Sequence, residues 1–366
     1  MSRVTSIAFV TELFYPSIGG QEFRFLRLAQ GLSKRGFDVT VYTTDHTGGA
    51  LPNEDSVNGV RVVRYLTLKN YVKPNSRSFS QLIKFVTATA SLIRRLAGEH
   101  DFILVNQMPI LHLFFLSGTK VCVDWCEVYK RSALKYPIKL ASKRFARGTA
   151  VSEIIGEEVK RLNPHMDLEV VRTPIDVDKY TPIEEKDPEM VLYVGRLMPH
   201  KNVLSLAEAI VYLNERLHQR KRLVIAGDGP LRSVLEKRYR SYKYIEVLGR
   251  VDEEEKIELL KRSSVLAIPS SREGFPNIVA EAIASLTPVL TVRATLNNVY
   301  PFVERHGIGF VAPSPSPKHL VEVVASVDEE ELKRATTNEL RLREEFREER
   351  SIGKFVHFIE RGLQWS

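Results

Sequence analysis

Short apolar runs rich in β-branched residues alternate with amphipathic helical patterns along almost the whole sequence. Parallel strands need a crossover of helix length to reach the next strand, so the alternation predicts an α/β fold with parallel sheets. The predicted strands are residues 7–10, 39–42, 60–65, 102–105, 120–123, 150–151, 168–171, 191–194, 223–226, 245–248, 265–268 and 289–292. In the second half, the predicted helices are residues 203–217, 230–240, 252–262 and 276–285.

The length of the chain, 366 residues, favours two domains rather than one core. Prolines and charges interrupt the alternation after Asp176 and Asp178, and the pattern restarts at Met190. We therefore predict a first domain at residues 1–175, a linker at 176–188 and a second domain at 189–350. A charged helical run at residues 329–350 ends the second domain, and a final helix at residues 351–366 completes the chain.

Composition narrows the class of protein. With 43% hydrophobic and 27% charged residues the chain is typical of globular proteins. Cys122 and Cys126 lack the spacing of a zinc site or a disulfide framework, and a third ligand for a metal at Asp176 and Asp178 is missing, so we expect no metal. The N-terminus enters a strand without a signal-peptide pattern, which predicts a cytoplasmic protein.

Two carboxylates, Glu273 and Glu281, bracket a glycine and a proline after a predicted strand. Pro276 suits the first position of a helix, and the N–H groups at such a helix end form a ready site for a phosphate. Glu281 lies one turn further on, where it can accept hydrogen bonds from the hydroxyls of a sugar. A nucleotide sugar supplies both groups. The alternative is a loop glutamate and a solvated first-turn glutamate at a favourable dipole position.

Other candidate groups follow predicted strands, where open parallel sheets bind ligands. Arg196 directly follows Gly195, and Lys201 precedes the next helix. Two cations there suit a diphosphate, the arginine as a bidentate donor and the lysine as a point charge. Gly19 and Gly20 occupy the turn after the first strand, but they do not form the dinucleotide fingerprint, so no nicotinamide cofactor is implied.

Several sequence blocks occur in a fixed order, each after a predicted strand of the second half. They are Gly195-Arg196 with Lys201, Gly227-Asp228-Gly229-Pro230, Leu248-Gly249-Arg250-Val251, and the segment from Glu273 to Ala282. Gly19-Gly20-Gln21-Glu22 and Pro174-Ile175-Asp176-Val177-Asp178 accompany them in the first half. Taken together the blocks resemble the family 4 retaining glycosyltransferases, the group of glycogen synthase and related mannosyltransferases.

That resemblance implies the GT-B fold, in which two Rossmann-like domains face each other across a cleft and the last helix crosses back to the first domain. It implies a metal-independent hexosyltransferase whose substrate, rather than a cofactor, is a nucleoside-diphosphate sugar. The leaving phosphate would take the proton of the acceptor during front-face attack, with retention of configuration.

The resemblance also assigns roles to individual residues. Arg196, Lys201 and Glu273 are the implied catalytic residues, the first two on the diphosphate and Glu273 on hydroxyls of the transferred sugar. Glu281 would hold the ribose hydroxyls. The remaining donor-binding residues are Gly19, Gly20, Arg250, Val251, Gly274, Phe275, Pro276, Asn277 and Ile278.

Two positions depart from the family pattern. Cys126 stands where relatives commonly have a histidine between a tryptophan and a glutamate, so the contact with the sugar is expected to differ. The alternative is a buried apolar cysteine. Asn297 and Asn298 lie in a block that usually carries two glycines and a glutamate. Asparagine tolerates the left-handed backbone of a glycine, but it does not replace the carboxylate.

The distribution of basic residues along the chain suggests the chemical class of the acceptor. The formal net charge is +8, and residues 1–175 carry 24 basic and 15 acidic side chains, an excess of nine. The stretch from Lys130 to Arg147 holds seven cations and no acid, with a second, apolar stripe at Leu134, Ile138, Ala141 and Phe145. A basic, partly apolar helix is typical of an element drawn to anionic lipid, which favours a peripheral membrane enzyme with a lipid-linked acceptor. A solvated basic face or a site for an anionic glycan is the alternative.

Two other functions fit parts of the sequence. A sugar-nucleotide-binding protein without transferase activity would explain why Cys126 and the block with Asn297 and Asn298 depart from the family pattern. The pI near 9.3 would suit a nucleic-acid-binding protein. However, the basic residues lack interleaved aromatics and no nucleic-acid-binding module is recognised, so we expect no nucleic-acid partner.

Overall fold

A computed structural model describes residues 5–17, 19–69, 78–128, 133, 135–182 and 186–362. The described residues form two compact units. The first contains those of Met1–Val128, Ala133–Pro174 and Glu348–Ser366, and the second contains those of Ile175–Arg347. The C-terminal segment therefore belongs to the same unit as the N-terminus.

The first unit is built on an eight-stranded sheet in which each neighbouring pair is parallel except β3 and β4. Its strands are β1 Ser6–Val10, β2 Asp38–Asp45, β3 Glu54–Val57, β4 Val60–Thr67, β5 Phe102–Asn106, β6 Val121–Trp125, β7 Arg147–Ala150 and β8 Asp167–Val170, in the order β3-β4-β2-β1-β5-β6-β7-β8. The helices are α1 Gly20–Ser33, α2 Phe79–Glu99, α3 Lys135–Ser142 and α4 Glu153–Leu162, with a 3₁₀ helix at Ile110–Phe115.

The second unit is built on a six-stranded parallel sheet. The strands of this unit, including two that lie outside the sheet, are β9 Asp187–Val194, β10 Arg222–Ala226, β11 Ile245–Gly249, β12 Ser263–Ile268, β13 Arg272–Glu273, β14 Val289–Val292, β15 Leu296–Asn297 and β16 Gly309–Ala312. The sheet order is β11-β10-β9-β12-β14-β16, while β13 and β15 pair separately. The helices are α5 Val203–Leu217, α6 Arg232–Tyr239, α7 Glu253–Arg262, α8 Asn277–Ala284, α9 Val299–His306, α10 Pro317–Ser326 and α11 Glu329–Arg343. Three 3₁₀ turns lie at Val177–Tyr180, Pro199–Lys201 and Glu344–Phe346.

The last helix, α12 (Glu348–Gly362), covers the sheet of the first unit, as the fold prediction expected. Phe355 and Phe358 are fully buried, and the Phe355 ring lies 6.0 Å from that of Phe102. Gly31 of α1 faces Ile352, and a Cβ at Gly31 would overlap that side chain. Glycine at this position therefore allows the two helices to approach closely. Residues 363–366 of the predicted helix lie outside the described residues.

Each predicted strand overlaps an observed one, and the predicted α/β class with parallel sheets is confirmed. β3 and β16 were not predicted, because β3 is a polar edge strand and β16 is only partly buried. Helix α8 begins one residue later than predicted, with Pro276 as its N-cap. Of the predicted linker, residues 183–185 lie outside the described part.

Candidate functional site

Backbone contacts fix the loops that follow β9 and β10. The N–H of Gly195 donates to the carbonyl of Ala226 at 3.0 Å, and the N–H of Leu197 donates to the carbonyl of Asp228 at 2.8 Å. Gly227 has φ +154°, and a Cβ there would overlap the carbonyl oxygen of Gly195. The glycine therefore lets the two loops pack backbone against backbone, which gives Arg196 a rigid support.

Arg196 is exposed and forms no ion pair with any described residue, while its carbonyl accepts a hydrogen bond from Tyr193 Oη at 2.9 Å. Lys201 ends the 3₁₀ turn at Pro199–Lys201, and its Nζ lies 2.5 Å from Oε1 of Glu273. Both side chains of this pair are largely buried, with 15% and 10% exposed. The structure thus brings together two of the three residues predicted to be catalytic.

Glu273 lies on β13, which pairs with β15. Asn297 on β15 donates through Nδ2 to Ser270 O, Thr291 Oγ1 and Val292 O, and accepts from the N–H of Val299. These bonds hold the segments after β12 and β14 together. Neither asparagine uses the left-handed backbone that this residue type tolerates: Asn298 has φ −94°, and neither has a positive φ.

The start of α8 differs from the predicted phosphate site in one respect. The N–H of Val279 donates to the carbonyl of Pro276 at 3.0 Å, so this group already has a partner. Asn277 and Ile278, predicted to bind the donor, are the first two residues of the helix and follow Gly274, Phe275 and the N-cap Pro276. The Phe275 ring packs edge-on against Phe302 at 4.7 Å, which anchors the preceding loop.

Glu281 is 3% exposed, so the alternative of a solvated first-turn glutamate is wrong. Glu273 is also buried and lies on β13 rather than in a loop. Oε2 of Glu281 lies 2.9 Å from Nζ of Lys256 on α7. Burial disfavours the charge on Lys256, but Glu281 and Glu253 outweigh it, and the pKa of Lys256 lies above its ordinary value. Sequence reasoning missed Lys256, because only the packing of α7 on α8 brings it to Glu281.

Arg250 and Val251, predicted to lie beside the nucleobase, follow β11 directly. Arg250 is exposed and Val251 is half-buried. Gly249 before them has φ +77°, and the guanidinium of Arg232 lies 2.7 Å from where its Cβ would be. A side chain at position 249 would therefore be strained and would displace Arg232.

In the first unit, Gly19 is the N-cap of α1 and Gly20 is its first residue. The N–H of Phe23 donates to the carbonyl of Gly19 at 3.1 Å. A Cβ at Gly19 would lie 2.5 Å from Oε2 of Glu22, so the glycine leaves room for the buried carboxylate of that residue.

A buried polar cluster surrounds the end of β6. Asp124 is fully buried and accepts from Nε and Nη2 of Arg24, both at 2.8 Å, from Thr149 Oγ1 at 2.7 Å and from Gln21 Nε2 at 3.3 Å. Burial disfavours the carboxylate, but Arg24 and the hydrogen bonds outweigh it and lower the pKa of Asp124. Sequence reasoning missed this pair, whose members lie a hundred residues apart.

Cys126 follows this cluster, and its Sγ donates to Oε1 of Gln21 at 2.8 Å. Burial, together with the nearby Asp124, raises the pKa of Cys126 well above its ordinary value, so the side chain is a neutral thiol. The residue is partly exposed rather than fully buried, which contradicts the alternative of a buried apolar cysteine. A hydrogen-bonded thiol therefore occupies the position where the family pattern has histidine.

The two aspartates of the connecting segment are engaged in ion pairs. Oδ2 and Oδ1 of Asp178 accept from Nη1 and Nη2 of Arg347 at 2.7 and 3.1 Å, and Asp176 lies 3.7 Å from Lys179. Among the described residues, no group of three His, Cys, Asp or Glu side chains is placed to hold a metal ion. Within the same residues, no helix has the length and apolar character that crossing a bilayer requires.

The basic stretch is only partly helical. Helix α3 ends at Ser142, and Arg147 lies on β7 with its guanidinium over the Phe358 ring. The prediction of one basic helix reaching Arg147 is therefore wrong. The apolar stripe of that helix does not face lipid, because Ile138, Ala141 and Phe145 are buried. Lys130, Arg131 and Leu134 lie outside the described residues.

The exposed surface of α3 has a different composition from the predicted one. Tyr136 and Leu140 are each 61% exposed, Lys139 is exposed on the same helix, and Lys143 is exposed directly after its end. We call these four residues the α3 face.

Two family models match consecutive parts of the chain. Residues 18–179 match the model described as Glycosyltransferase Family 4, and residues 176–346 match the model described as Glycosyl transferases group 1. The chain belongs to the family 4 glycosyltransferases. Its activity is accordingly glycosyl transfer, which the strand-end blocks had indicated.

Relatives and solved structures agree with this assignment. An uncharacterized glycosyltransferase of Methanocaldococcus jannaschii is 27% identical over 335 residues, covering 78% of this chain and 79% of the relative. A UDP-Gal:α-D-GlcNAc-diphosphoundecaprenol α-1,3-galactosyltransferase of Escherichia coli is 32% identical over 150 residues, 36% of this chain and 38% of the relative. Sucrose-phosphate synthase of Thermosynechococcus elongatus is 15% identical, with a TM-score of 0.79 over 99% of this chain and 100% of that one. The fold is that of the GT-B glycosyltransferases.

Proposed function

We propose that this glycosyltransferase moves a hexosyl unit, with retention of configuration, from a nucleoside-diphosphate sugar to a hydroxyl of a lipid-linked acceptor. The observation that carries the donor part is the group of charges at the loops after β9 and β12. Arg196 is exposed and forms no ion pair with a described residue, and Lys201 and Glu273 form a short, largely buried ion pair. The name of the Escherichia coli relative, which includes a UDP sugar and a lipid diphosphate, supports both halves of the proposal.

The Lys201–Glu273 pair suits a donor with a charged part and a neutral polar part. A carboxylate alone would repel a diphosphate, whereas a lysine 2.5 Å away offsets its charge. The lysine then contacts the phosphates, and the carboxylate accepts hydrogen bonds from sugar hydroxyls. Glu273 orients the sugar and stabilises the positive charge that develops at the anomeric carbon.

Departure of the nucleoside diphosphate increases the charge on its leaving oxygen. Arg196 and Lys201 therefore stabilise the transition state more than the bound donor. Loss of either cation is expected to lower kcat by a factor on the order of a hundred, as for other preorganised electrostatic donors. Attack from the leaving-group side, with the phosphate accepting the proton of the acceptor, completes the transfer without a protein nucleophile.

Arg196 and Lys201 would contact the diphosphate oxygens that a divalent metal would otherwise bind, so we propose that no metal is required. Donor turnover should then be the same with excess EDTA as with added magnesium ions. Loss of turnover in EDTA, restored by a divalent metal, would contradict this part of the proposal.

Retention is tested by the first-formed product. Slow hydrolysis of UDP-galactose or UDP-N-acetylglucosamine, both α-linked donors, releases a sugar whose anomer is read by proton NMR before mutarotation. The proposal predicts that the α anomer appears first and that Lys201→Met slows its release. If the β anomer appears first, the retaining mechanism is wrong.

The acceptor part rests on the α3 face, which combines exposed apolar and basic side chains. Such a surface binds anionic lipid through insertion of apolar groups and attraction of lysines to phosphates. Vesicles containing phosphatidylglycerol are expected to co-sediment the protein at low salt, and Leu140→Asp should weaken binding severalfold. Leu340→Asp is a matched control, because Leu340 is 55% exposed on α11 of the other unit. Equal binding by the wild type and both variants, or no binding at all, would overturn the membrane assignment.

A further inference from the structure

Lys256 links two elements of the proposed donor site. It lies one turn into α7, the helix that directly follows Arg250 and Val251. Its Nζ lies 2.9 Å from Oε2 of Glu281 on α8 and 2.9 Å from Oε2 of Glu253 on its own helix. The lysine therefore connects the segment predicted to contact the nucleobase with the carboxylate predicted to contact the ribose.

The pair is well shielded from water. The Lys256 side chain is 15% exposed and that of Glu281 is 4% exposed. Charge-assisted hydrogen bonds at such sites are shorter and stronger than neutral ones, whereas exposed pairs contribute little. A carboxylate held this way has a fixed orientation. Because a carboxylate has about four lone-pair sites, one lysine does not use up its capacity to accept hydrogen bonds.

A second contact fixes the lysine itself. The hydroxyl of Tyr180, a buried residue of the 3₁₀ turn at Val177–Tyr180, donates to Oε1 of Glu253 at 3.3 Å. Asp252 caps α7 by accepting the N–H of Glu255 at 2.8 Å, so the first turn of the helix is also fixed. Lys256 thus approaches Glu281 from a rigid support.

We infer that Lys256 is a positioning residue for recognition of the donor's ribose: by pairing with Glu281 it orients that carboxylate toward the ribose hydroxyls. This inference rests on the proposed function, with its nucleoside-diphosphate-sugar donor, and on the role that the family resemblance implies for Glu281 as acceptor of the ribose hydroxyls. Without the lysine, the buried carboxylate of Glu281 loses its cationic partner and either rotates toward another donor or takes up a proton. In both cases the protein loses its preference for a nucleotide that carries a hydroxyl at the 2′ position.

The test compares ribonucleotides with their 2′-deoxy analogues. Titration calorimetry with UDP, ADP and GDP first identifies a nucleotide that binds the wild type, and the 2′-deoxy form of that nucleotide is then titrated. A hydrogen bond to a charged group corresponds to about a tenfold or greater preference for the ribonucleotide. Lys256→Met should reduce this preference to about twofold or less, and Lys256→Arg, which keeps the charge, should restore most of it.

Lys261→Met is the matched control. Lys261 lies on the same helix, pairs with Glu258 at 3.0 Å and is 17% exposed, but its partner is not part of the proposed site. This variant should keep the full ribose preference. If Lys256→Met does not fold, Glu253→Gln decides the question, because it removes the second anchor of the lysine and should reduce the preference partially.

The outcomes separate the inference from the proposed function. If Glu281→Gln abolishes the ribose preference but Lys256→Met and Glu253→Gln retain it, the positioning role is wrong and the proposed site stands. If the wild type binds no nucleoside diphosphate, or binds ribo and deoxy forms equally, the proposed role of Glu281 fails and the inference fails with it.

Discussion

Replacing Asp124 by asparagine is expected to destabilise the first unit strongly. The side chain keeps its size but loses its charge, while Arg24 remains 2% exposed beside it. Asp124 accepts four hydrogen bonds from Arg24, Thr149 and Gln21, two of them from the guanidinium at 2.8 Å. Breaking a buried pair while one charge stays buried costs about 3–5 kcal/mol.

Urea unfolding followed by intrinsic fluorescence measures this effect, because Trp125 is fully buried next to Asp124. With a slope of about 2–3 kcal/mol/M, the midpoint should fall by roughly 1–2.5 M. Glu54→Gln is the control: its pair with Arg61 is exposed on both sides, and its loss should cost less than about 1 kcal/mol.

A second variant distinguishes the ion pair from simple packing. In the Arg24→Leu, Asp124→Asn double variant no buried cation is left unpaired. Its loss in free energy of unfolding should therefore be smaller than the sum of the losses of the two single variants by about 1 kcal/mol or more. Additive losses, or a cost of Asp124→Asn no greater than that of Glu54→Gln, would refute the reasoning.

The pH dependence of this pair has a definite sign. The pKa of Asp124 is lowered in the folded state, so its contribution to stability is present above the unfolded value of about 4 and is lost as the pH falls through the folded value. The difference between the wild type and Asp124→Asn should therefore narrow below about pH 4. A difference that grows in that range would show that another group is responsible.

Three further predictions follow from particular contacts. Glu339→Met should stabilise the second unit by about 1–3 kcal/mol at pH 7, because both carboxyl oxygens of Glu339 are buried without a partner in the described structure. Burial raises the pKa of Glu339, so the gain, read from thermal midpoints, should be smaller near pH 4 and is contradicted if it increases there. Gly227→Ala should cost about 2 kcal/mol or more in urea unfolding, because its Cβ would overlap a backbone oxygen. Gly98→Ala, with open space around it, should be neutral or stabilising, and equal effects would refute this reasoning. Arg196→Ala should leave the thermal midpoint of the free protein unchanged, because the side chain is exposed, yet weaken nucleoside-diphosphate binding about tenfold in titration calorimetry. Unchanged affinity would exclude it from the donor site.

Much of the fold follows from local patterns. Buried runs such as residues 7–10 predict their strands, because a strand covered on both faces must be apolar throughout. β3 escapes this reasoning, since an edge strand such as Glu54–Val57 is half exposed and polar. Asp187 and Pro188, the first residues of β9, are likewise half-buried and exposed, and they were predicted as linker.

The site was predictable to the extent that its residues are local in sequence. Glu273 and Glu281 were identified from their spacing around a helix start, and Lys201 from its place after a strand. Their partners depend on tertiary packing: Lys256 reaches Glu281 from another helix, and Asn297 supports the segment of Glu273 from another strand. The apolar stripe that includes Ile138, Ala141 and Phe145 was assigned to the lipid-facing surface, because helical spacing alone does not show which stripe of a helix is buried.

The donor site of the second unit is the central claim, and a thermal-shift series with UDP, ADP, GDP and their hexose conjugates tests it most directly. A ligand that binds only the folded state raises the midpoint of unfolding by mass action. We expect one nucleotide series to stabilise the wild type, and Lys201→Met and Glu281→Ala to lose that stabilisation while Lys261→Met keeps it. Stabilisation by none of these nucleotides, or equal stabilisation of all four proteins, would contradict the assignment of the site.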